Sequence, residues 1–135
     1  MIVADSNLIA YLLIPGNKNA LADEIFLQDP EWAVPLICRS EIRNVLTLYM
    51  RHEAMTLAQA QTTMEKAEGI WRDREFSVPS NDVLTLTSIH KISACDAEFV
   101  VLAQELGIRL ITFDKEVKKL FPAVTIDPKD FVGRK

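Results

Sequence analysis

The feature that most constrains this chain is a rhythm: apolar runs of only three or four residues, each followed by a longer stretch with helical spacing. Ile2-Val3-Ala4, Trp32-Ala33-Val34, Phe76-Ser77-Val78, Arg109-Leu110-Ile111-Thr112 and Val124-Thr125-Ile126 read as short strands. Leu8 to Leu13 supplies a turn or two of helix, Ala20 to Leu27 a helix closed by Asp29-Pro30, Asn81 to His90 another, and Lys115 to Leu120 a short one before Pro122. Ala94 to Leu106 is apolar on most sides and ends at Gly107, which places that helix in the interior. Parallel strands need crossover connections and are covered on both faces. The alternation therefore predicts an α/β fold, a parallel sheet between helices joined by right-handed crossovers. Ile42, Val45, Leu46 and Tyr49, then Leu57, Ala60, Met64, Ala67 and Trp71, predict two further helices forming an arm over about 41–73.

At 135 residues without a linker or repeat, the chain reads as one domain over 1–135, long enough to bury a core without staples. With 49% hydrophobic and 25% charged residues, a disordered chain, a collagen-like repeat and a coiled-coil rod are all excluded. Cys38 and Cys95 stand among apolar neighbours and read as small buried thiols, too few for a disulfide scaffold or a zinc ligand set. Met1 runs straight into Ile2-Val3-Ala4-Asp5, which is no signal peptide, and no apolar run reaches membrane length; a reducing cytoplasm is the expected compartment. The net charge of −4 is a poor footprint for a protein that coats nucleic acid. It suits carboxylates gathered to carry divalent cations, whose charge offsets theirs.

In a parallel sheet, ligands bind outside the carboxyl ends of the strands. Asp5 follows Ile2-Val3-Ala4, and Asp114 follows Leu110-Ile111-Thr112-Phe113. Each also precedes a helix, where aspartate is a favoured cap. Asp96 has the spacing of a capping box with Ser93, yet at 100° per residue it lies about 200° from Glu98, which with Glu105 marks the solvated stripe. Asp96 thus shares its face with Val100 and Ala103. Glu41 reads as a first-turn acid of its helix, favourable to the dipole, but it lies about 200° from Arg43 in the Arg43, Thr47, Arg51 polar stripe and points with Val45. Two acids at strand ends and two at helix starts should meet on one edge of the sheet. Clustered carboxylates repel, a divalent metal relieves this, and oxygen-only ligands select Mg²⁺ or Mn²⁺, which attract phosphate oxygens. A phosphodiester substrate follows.

Ile2-Val3-Ala4-Asp5-Ser6-Asn7, Ser40-Glu41-Ile42-Arg43-Asn44-Val45-Leu46, Ser93-Ala94-Cys95-Asp96-Ala97-Glu98-Phe99-Val100-Val101-Leu102-Ala103 and Leu110-Ile111-Thr112-Phe113-Asp114, in that order, resemble the PIN-domain nucleases, and among them the VapC-type toxins of prokaryotic toxin–antitoxin pairs. The resemblance runs from Met1 to Phe131. It implies a five-stranded parallel sheet between helices and an acidic pocket of Asp5, Glu41, Asp96 and Asp114. It further implies an Mg²⁺- or Mn²⁺-dependent endoribonuclease, the toxin of a type II pair, homodimeric and held inactive by a VapB-like antitoxin. Asp5 and Asp96 would be primary metal ligands, Glu41 and Asp114 would complete the pocket, and Asn7 and Thr112 would support it. Where the family commonly has a tyrosine before the third acid, this chain has Cys95.

Arg43, Arg51, Lys115, Lys118 and Lys119 are candidates for the phosphate backbone, although a solvated face is the favoured reading of each. His52 and His90 have no metal-spaced partner and read as surface or packing residues, and Asp127 and Asp130 as turn or cap residues beside Pro128. An aspartyl-nucleophile phosphatase normally carries a second acid two residues after the first, where Asn7 stands here. No Gly-rich phosphate loop occurs. A catalytically silent protein-binding module is the remaining alternative, although decay would remove acids that are all present.

Overall fold

The computed structural model describes residues 1–16 and 18–133. The chain runs β1 (Ile2–Ala4), α1 (Ser6–Leu13), α2 (Asn19–Gln28), β2 (Trp32–Pro35), α3 (Ile37–Arg51), α4 (Leu57–Ile70), β3 (Glu75–Phe76), α5 (Ser80–Ile89), α6 (Ala94–Leu106), β4 (Leu110–Ile111), α7 (Lys115–Leu120), β5 (Thr125–Ile126) and α8 (Pro128–Val132). The strands form one five-stranded sheet in the order β3-β2-β1-β4-β5, and every neighbouring pair is parallel. β1 is central: Val3 is in register with Ala33 on one side and with Leu110 on the other.

Consecutive residues of β1 and β2 are all buried, so both faces of the sheet are covered. α6 lies across β1, β2 and β4, with α5 along it. α1 packs with α2, α3 and α4, and α2 with α8. The run from Phe99 to Ala103 is buried at every position. Burying a side chain such as Val100 or Leu102 is worth about 1.5–3 kcal/mol, which makes α6 a main anchor of the core. Its ends are set locally. Ser93 accepts from the Asp96 amide at the start, and Gly107, at φ 66°, takes the left-handed turn that stops it.

Three boundaries, one additional helix and two burials stand out against the sequence expectations. α1 begins at Ser6 because Asp5 caps it, and α3 begins at Ile37, which puts Glu41 beyond the first turn and removes helix-dipole relief as the reason for its place. β3 covers Glu75–Phe76 rather than residues 76–78; its backbone is drawn back to meet Val34 and Pro35, and Arg39 grips Glu75 with Nε at 2.5 Å and Nη2 at 2.8 Å. Asp127 caps an additional helix, α8. Cys38 is buried as expected, but Cys95 is exposed, because successive helical residues point to different faces whatever their neighbours in sequence. Glu98 is half-buried rather than part of a solvated stripe. Its carboxylate accepts from the Ile37 amide at the start of α3, and burial raises its pKa.

α3 and α4 pack on each other and α4 also touches α1, with Ala60, Ala67 and Trp71 buried in the joint. No helix among the described residues is long and apolar enough to cross a membrane.

Candidate functional site

At the carboxyl edge of the sheet, a cleft of about 280 Å³ is lined by Asp5, Glu41, Asp96 and Asp114. Four separate elements deliver them: the end of β1, α3, the first turn of α6 and the turn after β4. Ser6, Asn7, Asn44 and Thr112 complete the polar lining, and Val45, Phe99, Leu110 and Val117 the apolar part. Among the described residues no Lys, Arg or His lines it.

Hydroxyl groups hold three of the four acids. Thr112 Oγ1 donates to Asp5 Oδ2 at 2.6 Å and accepts from the Asp114 amide at 3.0 Å, so one side chain ties the Asp5 carboxylate to the Asp114 backbone. Ser6 Oγ donates to Glu41 Oε1 at 2.5 Å and lies 3.5 Å from Cys38 Sγ, joining α1 to α3. Asp5 Oδ1 accepts from the Asn7 amide at 3.3 Å, and Asp114 Oδ1 accepts from the Val117 amide at 3.0 Å, the caps of α1 and α7.

The electrostatics follow from burial without a counter-charge. Desolvation raises the pKa of Asp5, against the lowering effect of Thr112 and the Asn7 amide, and the charges of Asp96 and Asp114 push it further. Glu41 is raised by burial and then by Asp5, Asp96 and Glu98, and Asp96 by burial and then by Asp114. The Cys38 thiol, buried among these acids, is pushed up to about 12 and stays protonated.

Such a set of groups accommodates positive charge. All the cleft's charged groups are oxygen donors, which suits a hard cation that keeps part of its water shell, and the protonated Cys38 offers no thiolate. Among the described residues, no three His, Cys, Asp or Glu side chains are drawn together into a ready ligand cage.

All four acids singled out in the sequence meet here, together with Asn7 and Thr112. The basic candidates do not. Arg43, Arg51, Lys115 and Lys119 are exposed and line no part of the cleft, while Lys118 is paired with Asp127 on the far side of α7. His52 is exposed, and His90 packs against Phe121 with ring centroids 4.8 Å apart. Ser6 and Asn44 are site residues that the sequence reading did not single out. Asn44 could have been found, since it follows Glu41 by three residues and therefore shares its helical face.

Comparison with known proteins agrees with this architecture. A relative named Ribonuclease VapC3, from Pyrobaculum aerophilum, is 24% identical over 126 residues, covering 91% of this chain and 96% of its own. The crystal structure of PAE2754 from Pyrobaculum aerophilum is similar with a TM-score of 0.77 at 19% identity, over 98% of this chain and 87% of that one. A toxin-antitoxin complex from Klebsiella pneumoniae is similar with a TM-score of 0.69 at 19% identity, over 95% and 98% of the two chains. The family model described as PIN domain matches residues 2–121. With a match over most of its length and the sheet order and acidic edge described above, this chain belongs to the PIN domain family.

Proposed function

We propose that the protein is a divalent-metal-dependent endoribonuclease and the toxin component of a type II toxin–antitoxin pair. The observation that carries the reading is the convergence of Asp5, Glu41, Asp96 and Asp114, from four elements, on one cleft whose described lining contains no basic side chain. The likeness to a relative named as a VapC ribonuclease, and to a chain from a toxin-antitoxin complex, supports it.

Asp5 and Asp96 are the proposed primary ligands of Mg²⁺ or Mn²⁺, with Glu41 and Asp114 completing the site directly or through water. The chemistry such a cation supplies, when bound, is activation of water for in-line attack on phosphorus and neutralisation of charge on the phosphate. The chain's own part is preorganisation. Thr112 ties Asp5 to the Asp114 backbone, Ser6 fixes Glu41, and the apolar wall of Val45, Phe99, Leu110 and Val117 limits water around the acids. Glu41, held by Ser6, would be the carboxylate placed to accept a proton from the attacking water where it meets the cation through water rather than directly. Cleavage of this kind leaves 5′-phosphate ends. A homodimer and an antitoxin whose tail reaches the acidic cleft belong to the same proposal.

The test is cleavage of cellular RNA by the purified, partner-free chain with Mg²⁺ or Mn²⁺, against EDTA and against Asp96→Asn. Cutting that needs both the cation and Asp96 is the expected result. A chain that neither cuts RNA nor binds the cation by calorimetry overturns the nuclease reading.

A further inference from the structure

Two helical stripes run side by side away from the carboxylates. On α3, Glu41, Val45 and Tyr49 recur at i, i+4 and i+8, and on α1, Asn7 and Tyr11 stand at i and i+4. Asn7 and Val45 line the acidic cleft and also a second pocket of about 260 Å³, whose other walls include Tyr11, Tyr49 and Lys18. The two spaces adjoin at Asn7 and Val45. Along the trough the chemistry changes from carboxylate to aromatic ring and cation.

The second pocket is built rather than incidental. Tyr11 stands edge-on to Phe113, the residue before Asp114, with ring centroids 5.1 Å apart. Lys18 Nζ lies 5.2 Å from the Tyr11 centroid and 4.5 Å from that of Phe113. Among the described residues Lys18 makes no ion pair, so its charge rests on ring faces and is available to an anion. The Asn19 amide donates to the Tyr11 and Ile14 carbonyls and accepts from the Gly16 amide, which fixes the rim of the pocket. Tyr49 is 37% exposed and presents its ring at the opening.

We propose that this pocket receives an unpaired base of single-stranded RNA, stacked on Tyr49, with Lys18 on an adjoining phosphate while a neighbouring phosphodiester lies over the carboxylates. Unpaired RNA bases are held by aromatic stacking and their phosphates by nearby cations, the two features this trough combines. Lys18 supplies the positive charge that the described lining of the acidic cleft lacks. Tyr49 is eight residues along α3 from Glu41, about 12 Å at the helical rise, which sets the base a nucleotide or two from the cut. The inference rests on the nuclease reading and names the residues beside the cleft that would hold the neighbouring nucleotide.

The experiment measures binding of a short, unstructured, fluorescent RNA to the full chain by anisotropy, with Ca²⁺ in place of Mg²⁺. Wild type is compared with Tyr49→Leu, Tyr49→Phe and Lys18→Gln. Tyr49→Leu and Lys18→Gln are expected to weaken binding about fivefold or more each, and Tyr49→Phe to restore it, since stacking needs the ring and not the hydroxyl. Lys18 is exposed in a loop, so Lys18→Gln keeps the test decisive if Tyr49→Leu fails to fold. Unchanged affinity in both variants overturns the proposal, and that is also the result if the pocket accepts a protein segment. Cleavage by wild type in Mg²⁺ is scored separately. Ring-dependent binding without cleavage sustains the pocket against the nuclease reading, and cleavage with ring-independent binding does the reverse.

Discussion

Asp5 and Asp127 occupy the same local position and have opposite characters. Each ends a strand and caps the helix that follows, Asp5 through the Asn7 amide and Asp127 through the Lys129 amide. Burial pushes the Asp127 carboxyl up, but the Lys118 ammonium and the Lys129 amide carry it below the usual range. Asp5 meets a hydroxyl and other acids instead of an ammonium, and its pKa is raised. Capping and site formation are thus not alternatives: Asp5 and Asp114 do both. What separates an ordinary cap from a site is whether the structure supplies a positive charge or leaves the place for one.

The comparison is broken most severely at the acids themselves. Asp96→Asn is expected to lower metal-dependent RNA cleavage by about a hundredfold or more, beyond the usual cost of losing a group that only supports a metal site, whereas Asp127→Asn leaves cleavage within about twofold. Gel-resolved cleavage rates of the two variants decide it. Equal losses would mean that the two aspartates do not differ in kind.

Thr112→Val comes next. It deletes the one hydroxyl that joins Asp5 to the Asp114 amide, leaving a buried acceptor and a donor without that partner. A loss of about 1–3 kcal/mol in urea unfolding is expected, with cleavage reduced about ten- to a hundredfold. Ser6→Ala, which frees only Glu41, is expected to fall at the lower end of that activity range.

The third way to sharpen the contrast is pH. Asp5, Glu41 and Asp96 have folded pKa values above their unfolded ones, so between the two the native state binds more protons. Their contribution to stability therefore falls as pH rises from the ordinary carboxylate range, about 4, through the raised values. Asp127 acts in the other direction, and its contribution is lost as pH falls through its lowered pKa. In EDTA at pH 7, Asp96→Asn is expected to raise the melting temperature. Mg²⁺ or Mn²⁺ should raise that of wild type more than that of the variant, by mass action on the folded state. A wild-type melting temperature indifferent to both ions would count against the cluster as a cation site.

The smallest effect is expected at the Asp127 pair. Lys118 and Asp127 are partly exposed, and Lys118→Met should cost about 1 kcal/mol or less in unfolding and nothing in cleavage.

Much of this was legible in the residues. Short apolar runs placed β1, β2, β4 and β5 and met β3 only at Phe76, and the helical angle of Asp96 and Glu41 relative to Glu98 and Arg43 gave the direction in which both acids point. The same angle misplaced Glu98. A helical wheel finds which residues share a face of their own helix, but it contains nothing about the start of α3, whose Ile37 amide occupies the Glu98 carboxylate. The trough of Tyr11, Tyr49 and Lys18 was invisible for a similar reason. Tyr11 and Tyr49 are far apart in sequence, and only the packing of α1 on α3 puts them on one wall. Basic residues were sought by proximity in sequence to the acids. The cation that lies nearest the aromatic wall comes from the turn before α2, a segment with no motif to mark it.

The central position of β1 has a consequence in time. The hydrogen bond from Thr112 to Asp5 closes a loop of 107 residues, and β1 gains its β4 neighbour only when that loop closes. Asp5 is made 107 residues before Thr112, so the first acid waits for its partner across the switch in strand order. A chain stopped anywhere before β4 holds an unpaired strand edge and an incomplete cleft. The acidic cleft is therefore complete only once β4 has been made and has paired with β1.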